Sequence, residues 1–182
     1  FLIENHAYFA QQQFTIADDW FVTAGARIDD NSRFGTEVSP KLSVGGYPVP
    51  FSTGPVSSVK VFATIGRGIK NPTFGELFGG FVDGNPNLNP ERARTIDIGA
   101  EVTFDDQRWL TRVTYFDNNY EDQVAFQFSP GFGGDGIPDF LNIAGSQANG
   151  VELEVGLQRP IGGVTASATY ALVDTEVGAT VS

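Results

Sequence analysis

Ile96-Asp97-Ile98-Gly99-Ala100-Glu101-Val102-Thr103-Phe104 alternates without interruption. Ile96, Ile98, Ala100, Val102 and Phe104 fall on one side, and Asp97, Gly99, Glu101 and Thr103 on the other. A period of two is that of a β-strand with one apolar and one polar face. The run ends at Asp105-Asp106-Gln107, a tight polar turn, and alternation then resumes.

The same period extends in both directions. Trp20, Val22, Ala24, Ala26 and Ile28 oppose Phe21, Thr23, Gly25, Arg27 and Asp29. Val59, Val61, Ala63 and Ile65 oppose Lys60, Phe62, Thr64 and Gly66. Val151, Leu153, Val155 and Leu157 oppose Glu152, Glu154, Gly156 and Gln158, and Val164 to Leu172 repeats the pattern. About eight strands follow, near 6–16, 20–30, 36–46, 58–70, 93–104, 108–128, 139–159 and 163–177. Most reach the roughly 9–11 residues of a tilted membrane strand, against about 5–6 in a soluble sandwich. The pair 108–128 and 139–159 is long enough to project beyond a bilayer as a hairpin. The one weak helical possibility is Pro72–Phe78.

Connections at 17–19, 105–107 and 159–163 are short, while 71–92 and 129–138 are long and rich in Gly, Pro and Asn. Outer-membrane barrels alternate short periplasmic turns with longer external loops, so the two long loops are expected on one side. The stretch 47–57 is long where that alternation calls for a short turn.

Composition narrows the classes further. The 182 residues include 22 Gly and 16 Phe, with only 18% charged, below the roughly 25% of soluble domains. Net charge is −11; there is no basic stripe for nucleic acid. Without Cys, disulfides, thiolate metal sites and a cysteine nucleophile are excluded. No apolar run is long enough for a transmembrane helix. The polar-face residues Arg27, Lys60, Asp97, Glu101, Arg108, Arg112, Glu152 and Glu154 suit either bulk water or a barrel lumen, and period alone does not choose.

Three segments resemble the barrel of TonB-dependent receptors. Ile65-Gly66-Arg67-Gly68-Ile69-Lys70-Asn71-Pro72-Thr73-Phe74-Gly75-Glu76-Leu77-Phe78 is similar to a strand end and its Pro-x-x-x-x-Leu-aromatic loop entry. Gly84-Asn85-Pro86-Asn87-Leu88-Asn89-Pro90-Glu91 is similar to the family's Gly-Asn-Pro-x-Leu-x-Pro-Glu segment. Asn142-Ile143-Ala144 through Gly150-Val151-Glu152 is similar to its Asn…Gly-Val-Glu strand, where Gly150 relieves crowding or permits a bulge.

The resemblance implies an all-β, antiparallel transmembrane β-barrel fragment: about eight strands of a 22-stranded barrel, and an open curved sheet when alone. On this reading residues 1–182 belong to one barrel domain, near its centre, with the plug and the first and last strands elsewhere. It implies no enzyme and no cofactor. It implies uptake of a large scarce nutrient (a ferric siderophore, cobalamin or similar chelate) across the outer membrane of a Gram-negative bacterium. Its partners would be outer-membrane lipid, the receptor's own N-terminal plug, the TonB complex acting through that plug, and the metal-chelate or vitamin ligand. A passive porin and a soluble β-sandwich binding module are the alternatives.

The candidate site residues fall in two groups. Phe74, Phe78, Phe81, Phe126, Phe128 and Phe132 lie in or near the long loops and form a candidate aromatic wall for ligand. Arg27, Lys60, Asp97, Glu101, Arg112, Glu152 and Glu154 are candidates for facing the lumen and plug. Asp135 and Asp139 in the Gly-rich stretch 133–139 are a weak calcium candidate, short of the 6–8 oxygens that ion takes. A lone His6 makes no zinc site, and Glu152 and Glu154 on one strand do not bracket a sugar from opposite sides.

Overall fold

The computed structural model describes residues 2–48, 54–80, 82–127 and 136–178. The strands are β1 (Asn5–Ile16), β2 (Trp20–Asn31), β3 (Gly35–Gly46), β4 (Val56–Lys70), β5 (Glu91–Phe104), β6 (Trp109–Glu121), β7 (Val124–Phe126), β8 (Phe140–Asn142), β9 (Gly145–Ile161) and β10 (Val164–Val177). One helical turn, α1 (Phe74–Phe78), follows β4. The large sheet has eight strands in the order β1-β2-β3-β4-β5-β6-β9-β10, and its ladders are all antiparallel. Its two edges do not pair, so it is open. β7 and β8 form a separate ribbon.

The expected long hairpin is shorter than the sequence suggests. β6 and β9 stop pairing at Glu121 and Gly145. The chain bends there because Asp122 and Gly145 take positive φ, 54° and 134°, which leaves the extended region. Arg108 belongs to the preceding turn rather than to a strand face, held by Asp105 at 2.7 Å. β9 runs on to Ile161, leaving a two-residue turn of Gly162 and Gly163, both at positive φ as a type I′ hairpin turn requires.

The register gathers each face across the whole sheet. Tyr8, Ile28 and Val38 lie in one row; Leu42 and Ile65 lie in another. Ile98 sits opposite Ala63 and Tyr115, and Tyr115 opposite Val151, which faces Leu172. Val22, Ala24, Ala26, Ala100, Val102, Leu153, Val155, Ala166 and Ala168 share this apolar face. Nothing covers it among the described residues: Leu42, Ile65, Ile98, Leu172 and Tyr170 are 45–65% exposed. Among the described residues the buried apolar side chains are few, namely Leu77, Leu88, Leu110 and Leu157. The accessible area is 11646 Å², against roughly 8,600 Å² for a compact monomer of this mass.

The apolar band has edges. Toward the long-loop end it gives way to Asp30 after Ile28, Thr36 before Val38, Arg67 after Ile65, Arg94 before Ile96, Asp117 after Tyr115, Asn149 before Val151 and Asp174 after Leu172. Followed from β1 to β10, with the β3–β4 register extended beyond its last pair, Lys41↔Gly66, this edge slips by six residues over seven inter-strand steps. At about 3.4 Å per residue and 4.8 Å per strand, that is a tilt of roughly 30°, near the 35–45° of membrane barrels. Both Trp residues, Trp20 and Trp109, sit at the opposite edge on the apolar face, directly after tight turns. Such aromatics mark membrane–water interfaces.

Aromatic rings on the polar face cover glycines on neighbouring strands. Phe62 lies opposite Gly99 and Phe116 opposite Gly150. A Cβ at Gly150 would meet the Leu172 carbonyl at 2.2 Å and the Phe116 ring at 2.8 Å. Gly150 therefore relieves crowding; the register there has no bulge. Gly150→Ala is expected to destabilise the complete receptor by about 1–3 kcal/mol, while Gly156→Ala, with open space at that Cβ, leaves it within about 0.5 kcal/mol. Denaturant titration followed by heat-modifiable gel mobility checks both.

Candidate functional site

The polar face carries a row of charge in register. Lys60 lies opposite Glu101, Glu101 opposite Arg112, Arg112 opposite Glu154 and Glu154 opposite Thr169. Arg112 donates to Glu101 through Nε at 3.0 Å and Nη2 at 2.5 Å, and to Glu154 through Nη1 at 2.7 Å. Asp97 and Glu152 line the same shallow concavity of about 420 Å³. Six of the seven residues expected from the sequence to face the lumen and plug thus meet in one place. Arg27 stands apart on β2 as a bidentate partner of Asp29, both bonds 2.8 Å.

The six carry two positive and four negative charges, and the pairing is incomplete. Arg112 is divided between two carboxylates, while Lys60, Asp97 and Glu152 take no ion pair among the described residues. A half-paired polar surface offers charges to whatever fills the space above it.

The second feature is the long-loop end. The β4–β5 and β6–β9 connections emerge there side by side, as their lengths suggest, and residues 136–138 are with them. Thr73 caps α1: its Oγ1 accepts from the Glu76 amide, and Glu76 answers by accepting from the Thr73 amide at 2.6 Å. This capping box positions Leu77, which is 1% exposed. The two loops are then joined by side chains. The Asp139 carboxylate accepts from the Asp83 amide at 2.9 Å, and the Asn85 amide nitrogen donates to the Phe140 carbonyl at 2.9 Å. Asn142 accepts from the Asn89 amide at 2.8 Å and donates to the Asn89 and Asp122 carbonyls at 3.1 and 2.6 Å. Arg33, from the β2–β3 turn, lies 5.3 Å from the centroid of the Phe78 ring and donates to the Pro86 carbonyl.

The aromatic candidates divide. Phe74 packs against Phe78 with the rings tilted at 51° and centroids 4.8 Å apart, and Phe126 meets Phe140 edge-on at 5.3 Å. Phe74 and Phe126 remain about half exposed, whereas Phe78 packs between Phe74 and Arg33. Phe81, Phe128 and Phe132 lie outside the described residues, as does Asp135. Asp139 is fully buried and binds backbone, so its position is that of a loop staple. No cluster of three metal-ligating side chains occurs among the described residues. The Asn-Pro pairs at 85–86 and 89–90 mark Asn85 and Asn89 as turn formers of a folded loop, and Asn85 accepts from the Asn87 amide at 2.9 Å. Sequence reading missed their partners across the loops, and missed Asn142 and Arg33 as organisers of this end.

An open, tilted antiparallel sheet with a bare apolar band on one face, charge on the other and cross-linked loops at one end is the architecture of a wall segment of a β-barrel. The family model described as TonB dependent receptor-like, beta-barrel, matches residues 3–182, and the chain belongs to that family. It is 30% identical to a vitamin B12 transporter BtuB of Photobacterium profundum over 156 residues, 84% of this chain and 23% of that protein. It is 31% identical to the BtuB of Vibrio vulnificus over 136 residues, 72% of this chain and 19% of that one. The siderophore receptor PirA from Pseudomonas aeruginosa superposes with a TM-score of 0.77 at 22% identity, covering 96% of this chain and 32% of that structure. The chain therefore spans about a quarter of the length of the curated relatives it matches. Those relatives are transporters and receptors, not enzymes.

Asn142→Ala removes three hydrogen bonds at once, two to Asn89 across the loops and one to Asp122 within the β6–β9 connection. Its expected cost to loop docking is about 1–3 kcal/mol. Limited proteolysis of the complete receptor should then cut within residues 79–90 several-fold faster than in wild type, with the sheet intact.

Proposed function

We propose that this chain is part of the single barrel domain of an outer-membrane receptor that imports a large, scarce, cobalamin-type chelate with energy supplied through TonB. The family membership carries this reading. The identity to two vitamin B12 transporters over most of this chain favours a cobalamin-type ligand over a ferric siderophore, whose receptor shares the fold at lower identity.

On this reading the chemistry separates by region. The bare apolar band faces lipid, and a Gram-negative outer membrane is the location that suits it. The polar face lines the lumen, where unpaired Lys60, Asp97 and Glu152 face the receptor's own N-terminal plug. Phe74 and Phe126, half exposed at the loop end, offer apolar contact to a large planar ligand. The capped helix and the Asn85, Asn89 and Asn142 network hold those loops in a defined shape, which limits the ordering cost of ligand capture.

The direct test is uptake of labelled cyanocobalamin by cells making the complete receptor. Uptake that saturates at low concentration and stops when the proton gradient is collapsed fits the proposal. Flux that ignores the gradient fits a passive porin and contradicts it. The face assignment gives a second outcome. Ile98→Arg should cost about 2–4 kcal/mol in bilayers, while Glu101→Gln should lose less than about 1 kcal/mol. Unfolding titrations in lipid vesicles compare the two.

A further inference from the structure

We propose that the long-loop ends of β2 and β3 form a movable flap of the wall, parted from β4 along an unzipped seam and latched by Arg33 over the Phe78 ring, so that the latch regulates access of ligand to that aromatic surface. The proposal rests on the barrel reading above and on the ligand-facing role given there to the loop end.

The seam is a break in the ladder. β3 and β4 pair from Gly46↔Val61 to Lys41↔Gly66 and no further. Both strands continue past that point: β3 stays paired with β2 out to Asn31↔Gly35, and β4 with β5 out to Lys70↔Glu91. The break begins at Pro40, which has no N–H to extend a ladder. Cavities of about 320 and 340 Å³ share Ser39, Arg67, Gly68 and Ile69 in their linings, so open space runs along the seam. Backbone pairing therefore ties the flap on the β1 side, and side chains must tie it on the β4 side.

Two arginines do so. By alternation Arg92 belongs with Ile96 and Ile98 on the apolar side, and Glu37, opposite Asp29, on the polar side. Their ion pair thus crosses the wall through the gap. Arg92 also reaches Asp122 at 3.4 Å, so its charge is shared, and part-exposed pairs of this kind hold weakly. At the tip of the flap, the Asn31 side chain accepts from the Arg33 and Phe34 amides at 2.9 and 3.2 Å, which makes the turn one unit. Arg33 takes no ion pair among the described residues. It donates to the Pro86 carbonyl and lies over the Phe78 ring, 5.3 Å from its centroid. One cation–π contact and one hydrogen bond make a reversible fastening. The guanidinium covers the ring that, with Phe74, builds the aromatic surface. A planar ligand stacking on Phe78 there displaces Arg33, and its apparent affinity scales with the fraction of receptors whose latch is open.

The test uses the complete receptor in detergent, with heat-modifiable mobility of wild type read first. Its absence would sink the barrel reading and the flap with it; its presence lets the flap fail alone. In wild type, hydrogen exchange at the seam-facing amides of residues 35–39 and 67–70 should run about tenfold or more faster than at residues 41–46 and 61–66. Spin labels on S32C and N87C, exposed sites on the two sides of the latch, should report one narrow distance. R33A/E37Q should broaden it toward longer values, and R159A, which breaks an ion pair at the opposite end, should leave it unchanged. Cyanocobalamin should bind R33A several-fold more tightly than wild type. Protected seam amides, or an unchanged label distance in R33A/E37Q, overturn the flap. Equal or weaker cyanocobalamin binding by R33A overturns the masking of Phe78. If wild type binds no cyanocobalamin, the cobalamin reading falls, and the exchange rates and label distances still decide the flap.

Discussion

Backbone polar groups inside a bilayer have no water to bond, so each must find a partner in a neighbouring strand. The rest of the structure follows from that constraint. It demands long, continuous antiparallel ladders, and thirteen-residue registers such as β5–β6 and β6–β9 supply them. It also frees one sheet face from any need for a covering layer. In a soluble sandwich the band containing Leu42, Ile98 and Leu153 would bury against a second sheet; here no second sheet covers it among the described residues, and on the proposed reading lipid takes that place. The roughly 30° slip of the band's edge is the same constraint expressed in register, since strands that close around a wide lumen must tilt.

Much of this was legible in the sequence because period two is a local signal. Ile96 to Phe104 declares a strand and its faces with no knowledge of its neighbours. The order of the strands follows from the tight turns. At Ala17-Asp18 and Asp105-Asp106-Gln107, short turns with positive φ permit only adjacent pairing. Period two could not say which face meets lipid. In three dimensions the apolar face is left bare and the charged face collects Lys60, Glu101, Arg112 and Glu154 into one row, which supports the proposed assignment of the bare face to lipid.

What stayed hidden was non-local or conformational. Asp139 and Asp83 are 56 residues apart in sequence and meet only because β5 and β6 return the chain to the same end. Asn142 reads in sequence as part of a strand, and its three hydrogen bonds, two to Asn89 and one to Asp122, show only once the loops are side by side. The bend at Asp122 depends on a positive φ that Asp tolerates but does not announce. Pro40 did carry a readable signal. A proline inside a run that otherwise reads as a strand marks a place where pairing fails on one side, and β3 parts from β4 beside it.

The central claim is that the alternating faces of these strands divide lipid from an aqueous lumen. A cysteine scan of β5 tests it most directly, because the chain has no cysteine of its own. Single cysteines from Ile96 to Phe104 in the complete, membrane-inserted receptor would each be probed with a water-soluble maleimide and with a lipid-dissolved quencher of an attached fluorophore. The account predicts strict alternation: quenching at 96, 98, 100, 102 and 104, and maleimide labelling confined to positions 97, 99, 101 and 103 unless the plug shields them. Equal labelling by the aqueous reagent on both faces, or no period of two in the quenching, would contradict it.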